Sequence, residues 1–360
     1  MAMMKSKHTL RGQSSTLTLR AWEFTGTALL TLLVWIFLLV FLSPLSYMVV
    51  TSLRSSSELQ DSNAPIYPAE RLTYAYQGTT YLLYKVPTSD GVIHTWALVK
   101  PTRLVSQFVD PAHPEKGLIT WKGNWRGLDG IYRFRIYWDN YVNLWKTVNY
   151  LHLIGNTSII VILSEIGILI SSICVAYGFS RFRIPGGKFL FFLLIATIVI
   201  PDSITLVPSY VIFTRILPWN GSYYPLIVPA FFGSAIYIFL LRQNFRSIPR
   251  DLDEAAMLDG AGPLRTLVSI IIPQAVPAIV TVALLHFFNT WNELRMASLY
   301  LAIRPDLQTI SFSAQYSPSY GFTPEVLQTG AVLLIAIPLL VLFLSQRFFM
   351  QDMVVTGLEK

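Results

Sequence analysis

Polar and apolar positions in this chain separate into long blocks. A helix needs about 20 apolar residues to cross a bilayer, and a charge placed there is costly. Intervals free of Asp, Glu, Lys and Arg therefore mark candidate spans. Residues 24–53 hold no charge, and their centre reads ALLTLLVWIFLLVFL. That run exceeds a signal-peptide core and no A-x-A-like cleavage site follows it, so it is expected to persist as a first transmembrane helix. Residues 152–177 are apolar apart from Glu165, and residues 189–213 apart from Asp202, which sits beside Pro201. Intervals 216–241, 266–292 and 326–346 are charge-free. The pattern predicts six helices.

Between the first and second of these lies a segment of different texture, residues 55–148. It carries both signs of charge, and β-branched or aromatic runs at 81–86 and 92–99 flank PTSDG, a hairpin signature. GLITWKGNW and IYRFRIYW read as further strands. The chain is thus expected to comprise a tail (1–23), a first helix (24–54), a β-rich external insert (55–148), a five-helix core (149–346) and a C-terminal tail (347–360).

Composition sharpens this. Only 13% of the 360 residues are charged, about half the share in soluble domains, which argues against an ordinary soluble enzyme. The net charge is +7, and the positions of the basic residues explain it. Lys5, Lys7, Arg11 and Arg20 precede the first helix, and Arg181, Arg183 and Lys188 follow the second. Arg242, Arg246, Arg250 and Arg265 follow the fourth, and Arg347 and Lys360 follow the last. With alternating helices these segments share one face, so both termini are expected in the cytoplasm. Basic residues at helix ends report topology, and no nucleic-acid partner is expected. A lone cysteine, Cys174, excludes an internal disulfide and any multi-cysteine metal site.

The segment with the most chemistry is RSIPRDLDEAAMLDGAGPLRTLVSIIIPQAVPAI, residues 246–279. Pro249 suits a helix start, and Asp251, Asp253 and Glu254 favour a first turn. Ala255 and Ala256 form a small-residue face, and Gly260 with Gly262-Pro263 permits a sharp redirection. EAAMLDGAGPLRTLVSIIIP resembles the EAA loop of integral membrane permeases of binding-protein-dependent ABC importers, and its Asp259-Gly260-Ala261 resembles the carbohydrate-importer branch. The likeness extends to Asn156-Thr157-Ser158, to AYGFSRF (176–182), to Ile200-Pro201 and VPSY (207–210), to LLRQNF (240–245) and to Trp291-Asn292-Glu293. The ending QRFF (346–349) is similar to that of the maltose-type second permease. Two features depart from the family pattern: the long insert, and Met296-Ala297-Ser298 in place of a Pro- and Leu-rich run.

The resemblance implies an all-α polytopic membrane protein of the MetI-like permease fold, with six helices and a β-rich external insert. It implies a multi-pass subunit of the cytoplasmic (inner) membrane of a bacterium or archaeon. Its expected partners are a second, unlike permease, two ATPase subunits, an external binding protein, a sugar and the lipid bilayer. Within an EAA loop at 246–270, Glu254, Ala255, Ala256, Asp259, Gly260, Ala261, Pro263 and Arg265 would contact the ATPase. No G-x-x-x-x-G-K-[ST] phosphate loop occurs, so ATP and Mg are expected on the partner ATPase. No catalytic residue, metal or cofactor is expected on this chain.

Candidate residues for a solute path are Glu165, Asp202, Tyr210, Asn289, Trp291, Asn292 and Glu293. Intramembrane ionisable groups are often functional, but for Glu165 a pair with a neighbouring helix or a place near the membrane edge is the favoured reading. Asp202 sits at a proline break in the third helix, where unwound backbone would line a cavity or the residue would face the outer interface. Asn289, Asn292 and Glu293 suit either a polar solute or interhelical contacts. Tyr210 and Trp291 suit packing. The insert would contact the binding protein or pack on its own subunit. A secondary-transporter half and a polytopic membrane enzyme are the rival classes; the first needs no EAA loop, and no convergent catalytic set supports the second.

Overall fold

The computed structural model describes residues 7–61, 63–88, 91–316 and 323–356, with side chains for 24–61, 63–88, 91–314 and 323–348. Lys5 and Lys360, and the side chains of Lys7, Arg11, Arg20 and Phe349, lie outside the described residues. The chain divides into two compact units, Met1–Tyr137 and Trp138–Lys360.

The first unit begins with α1 (Lys7–Ser52), whose apolar stretch is Phe24–Ser52. Its side chains are exposed from Phe24 to Pro44, Phe37 and Phe41 among them, as a lipid-facing helix requires. A short helix α2 (Ser56–Leu59) follows. Arg54 and Glu58 form a buried ion pair at 2.7 Å, and the second Glu58 oxygen accepts the Ala69 N–H at 3.3 Å. This ties the exit of α1 to β1 (Ala69–Arg71).

The strands β2 (Thr73–Tyr76), β3 (Thr79–Pro87), β4 (Ile93–Lys100), β5 (Val105–Val109) and β6 (Leu118–Lys122) form one antiparallel meander in chain order. β7 (Tyr132–Phe134) returns to pair antiparallel with β1. The β2–β3 turn uses Gln77 and Gly78, both at positive φ, the geometry that matches strand twist in a two-residue hairpin. The expected hairpin around PTSDG is β3–β4, with Val86 opposite His94. Alternate residues point inward, and Tyr84, Val86, Trp96, Leu98, Phe108 and Leu128 form the core of the sheet unit.

The second unit opens with α3 (Asp139–Val148), an amphipathic helix that the sequence reading leaves inside the insert; it clusters instead with the helical unit. Then come α4 (Tyr150–Arg181), α5 (Gly187–Ala196), α6 (Asp202–Val211), α7 (Tyr224–Ile227) and α8 (Ala235–Ser247). They are followed by α9 (Asp251–Leu258), α10 (Pro263–Thr266), α11 (Ile272–Gln274) and α12 (Val276–Trp291). α13 (Arg295–Leu301), α14 (Ile310–Tyr316) and α15 (Pro324–Thr356) complete it. Ile168, Tyr177, Leu241, Phe245, Ile271 and Val282 are among the buried residues that hold α4, α8 and α12 together.

Among the described residues four helices are long and apolar enough to cross a bilayer, and six spans result if each of two bent pairs counts as one. The third span bends by 95° between Gly187–Val199 and Asp202–Ile216. Ile200 is extended, with ψ 116°, because the ring of Pro201 disfavours a helical predecessor. The fifth span bends by 81° between Gln274 and Val276, where Ala275 leaves helical geometry ahead of Pro277. The fourth begins at Tyr224, not 216. Pro218 and a positive-φ Gly221 break the charge-free run that sequence alone reads as continuous.

Candidate functional site: the 246–279 turn and the polar core

The 246–279 segment folds as a short helix, a reversal and a second helix entering the fifth span. Asp251, Asp253 and Glu254 occupy the first turn of α9. The helix ends in a Schellman motif: Gly260 takes φ +79°, its N–H bonds the Met257 carbonyl at 3.0 Å, and the Ala261 N–H bonds the Ala256 carbonyl at 2.8 Å. Asp259 is the exposed C-cap, and exposed Pro263 and Arg265 lie in α10.

Eight residues are too few for a helix to hold itself in place, so α9 depends on what lies behind it. Arg181, at the end of α4, pairs with Asp253 at 2.9 Å, and both side chains are buried. The same guanidinium donates to the Ile248 carbonyl at 3.1 Å. Four residues earlier on α4, the Tyr177 hydroxyl donates to the Pro263 carbonyl at 3.1 Å. The end of α4 thus grips the segment before and after its reversal. Glu254 and Ala255 face outward, with Met257 62% and Leu258 89% exposed. Ala256 does not join them: it is buried against its own chain.

The residues considered for a solute path do not form one cluster. Asn289 and Glu293 line a hollow of about 300 Å³ with Ser209, Phe213, Thr290 and Met296. One Glu293 oxygen accepts the Met296 N–H at 2.8 Å and so caps the start of α13. Glu165 pairs with His286 Nδ1 of α12 at 2.9 Å, the favoured reading of a partner on a neighbouring helix. His286 Nε2 lies 3.3 Å from the Thr290 hydroxyl, which links this pair to the hollow. Asp202 is exposed and meets Arg295 at 3.4 Å. Tyr210 stacks on Tyr300, and Asn292 donates to the Phe288 carbonyl at 2.9 Å. Trp291 is buried, stacked on Phe287, and donates its indole N–H to the Leu334 carbonyl at 3.1 Å.

Sequence reasoning missed His286 because histidine was not counted as a charge, so residues 266–292 read as charge-free. It missed the Arg181–Asp253 pair because nothing local joins positions so far apart.

Kinked apolar spans packed on an apolar core, with the Glu165–His286 pair inside it and a short helix presented at a turn between two of the spans, define an integral membrane protein. Residues 167–355 match the family described as "Binding-protein-dependent transport system inner membrane component", and the chain belongs to that family. It is a transport component of an ABC importer. It is 32% identical over 178 residues to the osmoprotective compounds uptake permease protein GgtD of Synechocystis, covering 49% of this chain and 59% of the relative. It is 28% identical over 155 residues to the diacetylchitobiose uptake system permease protein NgcG of Streptomyces coelicolor, covering 43% of this chain and 51% of the relative. The matched parts therefore span little more than half of these relatives. In fold, the chain is similar to one from the crystal structure of a bacterial ABC transporter involved in the import of the acidic polysaccharide alginate. There the TM-score is 0.60 at 19% identity, over 92% of this chain and 97% of that one.

Proposed function

We propose that this chain passes a sugar or related polyol-like solute, delivered by an external binding protein, across the cytoplasmic membrane. It works beside a second permease, and ATP is hydrolysed on two separate ATPase subunits that carry the ATP and Mg. The sugar class is supported by the carbohydrate named for the NgcG relative. Both chain termini lie in the cytoplasm on this reading, as the basic short segments require.

The observation that carries the proposal is the state of α9. It exposes Glu254, Ala255, Met257 and Leu258 on one side while Asp253 and Ala256 are buried on the other. An exposed apolar surface beside a carboxylate suits a groove with an apolar floor and a cationic rim. α9 therefore acts as the coupling helix: closure of the ATPases displaces it, and its grip on α4 carries the displacement into the membrane. Only an interaction that differs between the inward- and outward-facing states does this work. The hollow at Asn289 and Glu293 is the candidate solute contact.

The test is reconstitution with the co-encoded partners and measurement of solute-stimulated ATP hydrolysis. Glu254→Lys would oppose the cationic rim, and Gly260→Pro would place a fixed negative φ where +79° is needed. Both variants should uncouple hydrolysis from transport or release the ATPase. Normal transport by both would overturn the assignment, and ATP-independent uptake driven by an ion gradient would favour a secondary transporter.

A further inference from the structure

Two hollows open on the β-rich unit and share one wall. The first, about 370 Å³, is lined by Arg71, Tyr84, Trp125 and Arg126, with Ser57 and Gln60 at hand as polar groups. The second, about 410 Å³, is lined by Thr102, Arg103, Asn124, Trp125 and Arg126. Trp125 and Arg126 belong to both.

This wall is held in place by its surroundings. Residues Trp125–Gly127 form a single 3₁₀ turn, and the Asn124 side chain accepts the Arg126 N–H at 3.2 Å. Trp125 meets Tyr84 edge-on at 6.2 Å, and the Arg126 guanidinium lies 5.5 Å from the Trp125 ring centroid. Arg71 stacks over Tyr84 at 4.7 Å and pairs with Asp61 at 3.2 Å. A Cβ on Gly130 would come within 2.9 Å of Arg71 Nε, so glycine at that position leaves room for the guanidinium. Arg103 and Arg126, by contrast, are exposed and have no carboxylate partner among the described residues.

The lining therefore sets three guanidinium groups against the single carboxylate of Asp61, around an aromatic ring and four uncharged hydrogen-bonding side chains. Each part answers to a different feature of one ligand class. Guanidinium forks match carboxylates bidentately, the indole offers an apolar face, and the amides and hydroxyls suit sugar hydroxyls. We propose that these hollows are two adjoining subsites for a carboxylated saccharide, with a sugar ring against Trp125 and its carboxylate held by Arg126 together with Arg71 or Arg103. The choice of a saccharide rests on the sugar-import reading above.

The experiment uses the full chain in nanodiscs without nucleotide. A glucuronate-containing disaccharide and its carboxyl-reduced neutral counterpart are titrated, with binding followed by saturation-transfer NMR and tryptophan fluorescence. The acidic sugar should bind roughly tenfold tighter than the neutral one and weaken at high salt. Arg126→Gln should erase that preference, and Trp125→Ala should reduce binding of both sugars, with unchanged thermal unfolding in each variant. Equal affinity for the two sugars, binding indifferent to both variants, or no binding at millimolar concentration would overturn the proposal. So would capture of the external binding protein through Arg126 without any saccharide binding, which would make the surface a protein contact. Because neither ATP hydrolysis nor transport is read, failure here leaves the coupling assignment standing. Failure of coupling in turn leaves the saccharide titration measurable.

Discussion

Replacing Asp253 by Ala would strand the Arg181 guanidinium beside α9. The side chains are 6% and 12% exposed and lie 2.9 Å apart, so the pair is well shielded from water. Removing one member of a buried pair costs about 3–5 kcal/mol, chiefly because the survivor stays buried without its counterion. Arg181 keeps its bond to the Ile248 carbonyl, which favours the lower end, about 3 kcal/mol. The loss should fall on α9 and not on the whole bundle, because α4 retains its packing against α8 and α12 through Tyr177, Leu241 and Val282. About 3 kcal/mol is roughly a hundredfold in the local opening equilibrium.

Amide hydrogen exchange over residues 251–258 measures that equilibrium, and the ratio of solute transported to ATP hydrolysed measures its consequence in the reconstituted complex. Asp253→Ala should speed exchange in α9 and lower the ratio, while exchange in the centre of α4 stays unchanged. Arg181→Met should do less harm than Asp253→Ala, since it leaves a carboxylate with a shorter path to water. The double variant should be milder than the sum of the two, because it strands neither charge. Exchange in α9 unaffected by either single change, or strict additivity in the double, would refute the claim that this pair seats the helix.

Gly260→Ala should cost about 1–2 kcal/mol from the left-handed backbone alone, since an added Cβ meets nothing within 4 Å; ATPase binding measured by pull-down should fall modestly, and far less than with Gly260→Pro. Glu165→Gln should be tolerated better than Glu165→Leu, because an amide oxygen still accepts from His286; thermal unfolding in detergent checks the order. In the β unit, burial alone would raise the Asp61 carboxyl, but hydrogen bonds from Tyr132 and the Asn63 N–H and the charge of Arg71 outweigh it and hold the group below its usual 3.8. Its contribution is therefore complete above about pH 4 and is lost as pH falls through the lowered value; near-UV circular dichroism between pH 6 and pH 2 should show that transition, and Asp61→Asn should flatten it.

What the chain discloses before folding follows from what each signal measures. Absence of charge reports lipid exposure, so the apolar stretches of the first and last helices were legible, but not the helical turns that extend them to Lys7 and Thr356. It says nothing about backbone continuity; Pro201 beside Asp202 marked the break in the third span, whereas the bend at Ala275 and the late start at Tyr224 needed the prolines there to be weighed in the same way. Residue-type alternation placed β3 and β4, because a half-buried sheet repeats every second residue. The reversal at Gly260 was readable from glycine chemistry. The partners that seat α9 were not, since Arg181 and Asp253 meet only through the tertiary packing of α4 on the segment. Ala255 and Ala256 look identical in sequence, and only the helical phase separates the exposed one from the buried one.

A single helix joins the features on which transport would depend. α4 has 32 residues, about 48 Å of rise, and contacts different elements along its length. Near its start, Asn156 donates to the Asp306 and Gln308 carbonyls at 2.9 Å, and the Thr157 hydroxyl accepts the Ile310 N–H at 3.0 Å. At its middle Glu165 holds His286 and, through it, Thr290 at the wall of the polar hollow. At its end Tyr177 and Arg181 hold the 246–279 turn. Unlike the third and fifth spans, α4 has no internal proline and runs unbroken, so it yields less readily by bending than they do. A push on α9 through Asp253 would therefore reach the Glu165–His286 contact as a movement of the whole rod. The bent spans are the elements able to yield, and the hollow takes lining residues from both, Ser209 from the third span and Asn289 from the fifth.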